Sequence, residues 1–542
     1  MRRDFDALGG RRFDLLVVGG GIHGLFAAYE AASRGLSVAL VETRDFGGGV
    51  TFNHQRTLHG GLRALQSGNL LKARRQIAER RTWAIIAPHL VRPLPFLVGT
   101  YRFTSRSRTV FRLGFAVYDT LGRRRNAGVA PELHLPRTRL ESRATTRALF
   151  PRIRDQGLSG GAIWYDYQTR HPERLTWCVA LAAAGAGATL VNHAEAIAPR
   201  RANGRFTGCT VRDRLDSREV EVDAAVTLLA AGSRLTQVHQ RAGLGGAPPL
   251  LRAINVLVNR PARDIALAAT SASGRTLTAV PWAGHVLVGT YQSSQPVDPS
   301  ETGPPAEAVH ELLSEANSAF PALGAGPADI RLVHHGLTPA VVRGGRAELM
   351  PEHQIVRHGS KGAPGVISLV GVKYTTARLA ARQAIDAVIS EVGGGSARRS
   401  RTAISPLPFA GIADAEGRLI ESTRERDVSL DPDVAAHLTS WYGIEAADVV
   451  EHAAATGGLE RLVPGSPTLA GEVTYAAEHA AAAHLDDVVL RRTTLAAAGH
   501  PGADAVRRAA SLLAARAGWS AERTAAEIER VDAAFVHAAV RP

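Results

Sequence analysis

The chain has 542 residues, of which 45% are hydrophobic and 21% charged. That balance excludes a disordered or collagenous polymer and leaves room for two or three domains around a large core. Two cysteines, Cys178 and Cys209, exclude a disulfide scaffold and a cysteine-held metal centre, and no metal is expected. The 64 Lys+Arg against 50 Asp+Glu give a formal charge of +14, nearly all of it arginine, since the lysines are Lys72, Lys361 and Lys373 alone.

The first residues, Met1-Arg2-Arg3-Asp4, open no apolar run, so no signal peptide is expected. Residues 13–18 are apolar and read as a buried parallel strand. They enter Gly19-Gly-Gly21-Ile-His-Gly24, a helical segment over 25–33 and a second strand over 36–41 that ends at Glu42. This is the G-x-G-x-x-G dinucleotide fingerprint in its strand–turn–helix–strand setting. Gly19 permits the tight turn and Gly21 admits a pyrophosphate to the backbone. Gly24 lets helix and strand close up, and Glu42 faces ribose hydroxyls.

Next, Arg56-Thr-Leu-His59-Gly60-Gly61-Leu62-Arg63 sets paired glycines beside His and Arg. It suits a loop pressed on a flat ligand with donors aimed at an anion. From Arg102 to Arg125 arginines interleave with aromatic residues. The segment reads either as an amphipathic surface that meets anionic lipid or as a helix whose arginine stems cover apolar surface. No nucleic-acid motif accompanies it, and no nucleic acid is expected as partner. Residues 175–194 carry no Lys, Arg, Asp or Glu, but Gly185 and Gly187 interrupt them. A buried helix, glycine turn and strand is expected rather than a membrane span.

Residues 228–233 form an apolar strand whose end, Ala231-Gly232, can pass close to a dinucleotide. A later strand over 365–371 runs from Gly371 into Val372-Lys373-Tyr374-Thr375-Thr376 and a helix over 379–390. Thr375 or Thr376 is expected as its N-cap, and Lys373 stands where it can stabilise negative charge on a reduced flavin. Past a linker at 391–400 strands become scarce, and helices are expected near 432–442, 472–484, 503–517 and 520–538.

Taken in order, residues 14–63, Leu228-Leu-Ala-Ala-Gly-Ser233, Pro281-Trp282…Val288-Gly289-Thr290 and Gly371-Val-Lys373-Tyr-Thr-Thr-Ala-Arg378 resemble the FAD-dependent glycerol-3-phosphate dehydrogenases of the D-amino-acid-oxidase-like flavoprotein superfamily. So do Glu472-Val-Thr-Tyr475 and Asp486-Asp487-Val-Val-Leu-Arg491-Arg492-Thr493. The resemblance implies an α/β fold with a Rossmann-like FAD-binding domain over 1–395. Interleaved β-sheet substrate segments are implied at about 80–150 and 235–355, and an all-helical C-terminal domain over 405–542.

The resemblance further implies oxidation of a secondary alcohol, sn-glycerol 3-phosphate to dihydroxyacetone phosphate, by hydride transfer to flavin N5. Electrons then pass to a quinone or to oxygen. His59 is the implied base, with Lys373 as runner-up or as a fixed cation, and Arg63 and Arg357 are the implied clamps for a small anionic substrate. Gly19, Gly21, Gly24, Glu42, Gly60, Gly61, Ala231, Gly232, Gly371, Lys373, Tyr374 and Thr375 are the implied FAD contacts. The chain departs from the family at substrate-facing places: Thr338 replaces an arginine, Ala64 a tyrosine, and Val50-Thr-Phe-Asn-His-Gln55 a Ser/Thr-rich run. The alternatives are therefore a different hydroxy acid, polyol or amine, or a FAD-binding scaffold whose pocket has decayed. A cytoplasmic location is expected; peripheral attachment to the inner face of the plasma membrane through residues 102–125 is the alternative to an ordinary surface helix there, and the sequence does not decide between them. The sequence is silent on oligomeric state, and a homodimer is compatible with it.

Overall fold

The computed structural model describes residues 1–102, 104–301, 303–393, 397–409 and 412–535. Phe103, part of the expected linker and the end of the helix expected over 520–538 lie outside them.

Six strands form the spine of the first sheet, in the spatial order Gln354–Arg357, Val366–Val370, Glu219–Leu229, Arg12–Val18, Val38–Val41, Thr189–Val191. The last five run parallel and Gln354–Arg357 is an antiparallel edge. Parallel strands must be covered on both faces. On one face Val17, Leu40, Leu228 and Ile367 pack under the helices Ile22–Ser33, Pro172–Gly185 and Ala377–Val392. The uncharged stretch is thus a buried helix, a turn and the strand Thr189–Val191, as its glycines predict. Among the described residues no helix is long and apolar enough to cross a membrane.

The second sheet is antiparallel for most of its width. Its order is Arg346–Leu349, Ile330–Arg343, Leu250–Val258, His285–Gln292, Thr276–Trp282, Ala266–Thr270, Val91–Tyr101, Leu158–Thr169, Thr57–Leu58. It draws Leu158–Thr169 from beyond the segment expected at 80–150. That strand pairs with Val91–Tyr101 along its whole length, so this long-range pairing fixes the boundary.

The C-terminal region is helical: Ile412–Glu425, Pro432–Tyr442, Ala446–Thr456, Ala470–His479, Ala503–Ala517 and Ala521–Phe535. The helix expected over 472–484 stops at His479, and the chain turns through Ala481 at φ 51°. This region is joined to the first sheet by buried ion pairs from Arg491 and Arg492 to Asp45.

Candidate functional site

The C-terminal ends of the first sheet's parallel strands border a cavity of about 340 Å³, the position where open α/β sheets bind ligands. Gly19, Gly21, Glu42, Ala231, Gly232, Gly371 and Tyr374 all line it. Two of the motif glycines, Gly19 and Gly24, are sterically required. Gly19 has φ 114°, and a Cβ there would stand 2.6 Å from Ala230 O; a Cβ on Gly24 would stand 1.9 Å from Gly19 O. Gly21 opens the helix Ile22–Ser33, whose first N–H, that of Ile22, donates to Thr51 Oγ1 at 3.0 Å. Gly21, Ile22 and Thr51 all line the cleft, so the helix N-terminus borders it. Glu42 is fixed by the motif itself, Oε2 accepting the Gly20 N–H at 2.6 Å and Oε1 the Arg44 N–H at 2.9 Å. The helix N-terminus at the cleft, the glycine cradle and the acid at the strand end fit a dinucleotide.

Gly60 and Gly61 serve a different purpose. A Cβ on Gly60 would meet Arg80 Nη1 at 2.2 Å and Tyr118 Oη at 2.4 Å, and one on Gly61, at φ 83°, would meet Gln76 Oε1 at 2.7 Å. On the side a Cβ would take, protein fills the space beside them.

Their turn positions His59. Its Nδ1 lies 3.2 Å from Asp166 Oδ2, and its backbone N–H donates to Thr375 Oγ1 at 3.1 Å. Thr375 therefore holds the His59 turn instead of capping the helix Ala377–Val392, whose N-cap, Thr376, makes no side-chain bond. Asp166 is buried and accepts from the Gly60 N–H at 2.7 Å and Arg80 Nη1 at 2.6 Å. Burial alone would raise its carboxyl, but the His59 bond and the Arg80 charge hold it below the ordinary range. With Nδ1 donating to Asp166, Nε2 of the exposed His59 ring is left as a proton acceptor.

Lys373 is half-buried, and its ammonium is pushed down to about 8 by burial and by the Lys72 and Arg63 charges, against an opposing Glu352. Arg63 reaches Thr276 O at 3.4 Å. Three cations, Arg63, Lys72 and Lys373, thus act on one region, and Lys373 stands two residues before the Thr375 that bonds the His59 turn.

The structure does not bring Arg357 to that region. Its guanidinium lies 3.5 Å from Ser390 Oγ, near the far end of the helix Ala377–Val392, roughly 20 Å along the helix axis. Thr338 lines the cleft with Asn255, Thr290 and Gln292, all polar and uncharged. Arg343 and Arg346 pair across an exposed hairpin end, roughly 16 Å along the strand from Thr338. Arg252 is buried in an ion pair with Glu301, and Arg275 bonds Glu315 at 3.0 Å.

Three residues of this site escaped the sequence reading: Asp166, Arg80 and the imidazole of His54, which also lines the cleft. Asp166 left a signal, a lone acid in the aromatic strand run Trp164-Tyr-Asp166-Tyr-Gln168. Arg80, one arginine of many, left none.

Residues 14–387 match the family model described as FAD dependent oxidoreductase, and residues 400–524 match the C-terminal domain of alpha-glycerophosphate oxidase. The chain is 28% identical to glycerol-3-phosphate dehydrogenase of Synechocystis sp., with 97% of each covered. It is 30% identical to glycerol-3-phosphate dehydrogenase 2 of Mycobacterium tuberculosis, over 96% of this chain and 87% of the relative. Among solved structures it is similar to the glycerol-3-phosphate dehydrogenase from Bacillus halodurans complexed with FAD, at TM-score 0.76 and 22% identity, covering 99% and 97% of the two chains. That likeness establishes the shared fold.

Proposed function

Because the chain belongs to the FAD-dependent oxidoreductase family, with FAD as its cofactor, we propose that it oxidises a secondary alcohol, sn-glycerol 3-phosphate, to dihydroxyacetone phosphate. The observation that carries this reading is the His59–Asp166 pair, set on the same turn as Thr375 and beside Lys373. FAD supplies the two-electron acceptor.

The protein's own groups do the rest. His59 Nε2 takes the hydroxyl proton, while Asp166 holds the ring in the Nδ1–H tautomer and favours the imidazolium that forms. Lys373 contributes a positive charge next to the reacting carbon. Arg63 and Lys72 receive the substrate's anionic group, and a planar guanidinium suits phosphate. Asn255, Thr290 and Gln292 offer neutral hydrogen bonds to the opposite pole.

Under anaerobic conditions glycerol 3-phosphate should bleach the visible flavin absorbance of the purified yellow protein. Bleaching only by another hydroxy acid, a polyol or an amine would move the substrate. No bleaching by any of them would identify a scaffold, and a colourless protein that takes up no FAD would end both readings.

The finer reading concerns the electron acceptor. The helix Arg108–Leu121 leaves Val110, Leu113 and Val117 exposed on one face, and Leu70 and Leu71 are exposed on the neighbouring helix Leu70–Ile86. Phe115 and Tyr118 are buried on another face, while Arg112, Arg123 and Arg124 stay in solvent. An apolar strip rimmed by arginine fits an anionic lipid surface, and that placement favours a lipid-borne quinone as acceptor.

A further inference from the structure

Two imidazoles that line the cofactor cleft, His23 and His54, have a buried Nε2 with no hydrogen-bond partner among the described residues. The His23 ring packs where a Cβ of Gly371 would come within 2.5 Å of it, so close packing accounts for its place. His54 is held more specifically. Its Nδ1 accepts the Arg56 N–H at 2.9 Å. Its ring stacks on Tyr374 at 4.7 Å and 26°, and Tyr374 stacks on Trp83 at 5.4 Å. The Trp83 indole in turn donates to Thr375 O at 3.0 Å.

With Nδ1 accepting, the imidazole proton resides on Nε2, which is therefore a donor. Burial and the nearby Arg56 charge push the ring down to about 3, so it is neutral at any working pH. A buried donor without an acceptor is costly and calls for an explanation in a ligand.

The position narrows the ligand atom. The glycine turn and Glu42 serve the diphosphate and ribose. His54 comes from the other end of the cleft, where it meets the second sheet. The adjacent Gln55 Nε2 donates to Thr278 O at 3.1 Å and to Gly289 O at 3.2 Å on that sheet, and Thr290, Gln292 and Thr338 line the same space. That end receives the reactive ring.

We propose that His54 is a cofactor-holding residue whose Nε2–H donates a hydrogen bond to the isoalloxazine of bound FAD, at a ring atom that gains negative charge on reduction. The inference rests on FAD binding and not on the identity of the substrate. Such a bond strengthens as the ring is reduced, so His54 raises the flavin's midpoint potential. It does so without a net charge, a task distinct from that of Lys373.

The test uses the holoprotein without substrate. In His54→Phe the ring still stacks on Tyr374 but the donor is gone, whereas His54→Gln restores an N–H. His54→Phe should shift the oxidised–reduced equilibrium about tenfold toward oxidised flavin, about 30 mV for a two-electron couple, and should release FAD faster on gel filtration. His54→Gln should recover part of both. If His54→Phe does not accumulate as soluble protein, His54→Leu takes its place. A yellow His54→Phe or His54→Leu protein whose midpoint potential and FAD retention match the parent overturns the inference, as does a lowered melting temperature with an unshifted potential. A parent protein that carries no flavin fails the functional reading instead, so the two failures are distinguishable.

Discussion

Asp45, three residues past the acid that ends the second strand, forms a bidentate ion pair with Arg492 at 2.7 and 2.9 Å. Arg491 Nε reaches the same carboxylate at 2.6 Å and its Nη2 continues to Asp487 at 2.7 Å. Asp487 is bonded by His193 Nε2 at 2.9 Å. Burial would raise the Asp487 carboxyl, but the His193 bond and the two arginines hold it well below its ordinary range. The C-terminal Asp-Asp-Val-Val-Leu-Arg-Arg motif is thus a clamp that fastens the helical region to the loop following Glu42. Asp45→Ala leaves two buried guanidiniums without their shared partner, and breaking such a network costs about 3–5 kcal/mol. Urea denaturation of the variant should show a loss of that order; a loss below about 1 kcal/mol would mean the clamp is energetically idle.

The His59–Asp166 pair makes a separable prediction. His59→Gln should lower kcat/KM for glycerol 3-phosphate by about 10²–10⁴ while the protein keeps its flavin. Asp166→Asn should cost nearly as much as His59→Gln, because its amide N–H would face His59 Nδ1 and select the Nε2–H tautomer, which cannot take the hydroxyl proton. Steady-state assays with an artificial electron acceptor decide the order. Equal activity of parent and His59→Gln would remove His59 from the base role.

Local chemistry explains which parts of this site were legible. The glycine turn, Glu42, Ala231-Gly232 and Gly371 were readable because each answers a contact within one strand–turn–helix unit. The paired glycines 60 and 61 are visible as a turn, but nothing local records that Arg80, Tyr118 and Gln76 occupy the space a Cβ would take there. Arg357 is implied by the resemblance alone. Its strand, Gln354–Arg357, runs antiparallel to Val366–Val370, with Arg357 opposite Ile367 near that strand's start, so the side chain falls at the end away from Gly371. Asp166 escaped because its partners lie 86 and 107 residues away. The sequence marks the C-terminal region as helical without marking the helices Ile412–Glu425 and Ala446–Thr456.

Lys373 sets an alkaline limb. Its ammonium titrates at about 8, lowered by burial and by Lys72 and Arg63. The positive charge is present below that pH and is lost as pH rises through it. If the charge assists the reaction, kcat/KM should fall above about pH 8. Lys373→Arg, charged throughout, should flatten the limb, and Lys373→Met should lower kcat/KM below about pH 8 to the level the parent reaches above it. A limb that persists unchanged in Lys373→Arg assigns the titration elsewhere.

The charge distribution also predicts where the substrate anion sits. Arg63→Ala should raise KM for glycerol 3-phosphate about 10- to 100-fold, the value of a charge-assisted hydrogen bond, with a smaller effect on kcat. Thr338→Ala should change KM little, because the Thr338 hydroxyl already donates to Leu251 O at 3.3 Å. The reverse ranking would place the anion against the neutral wall.

The exposed strip on the helix Arg108–Leu121 predicts a lipid dependence. The parent protein should sediment with vesicles containing an anionic phospholipid, less with phosphatidylcholine alone, and progressively less as salt is raised. Leu113→Asp and Val117→Asp should each abolish the association, since a carboxylate both removes apolar area and repels the anionic surface. Neither side chain is buried in the protein, at 65% and 42% exposure, so bleaching by glycerol 3-phosphate in solution should be unaffected. Turnover with a soluble, short-chain quinone should likewise persist, while turnover with a quinone dissolved in the vesicles should fall with binding. If the aspartate variants still use the vesicle quinone at the parental rate, the strip is not the route to the acceptor.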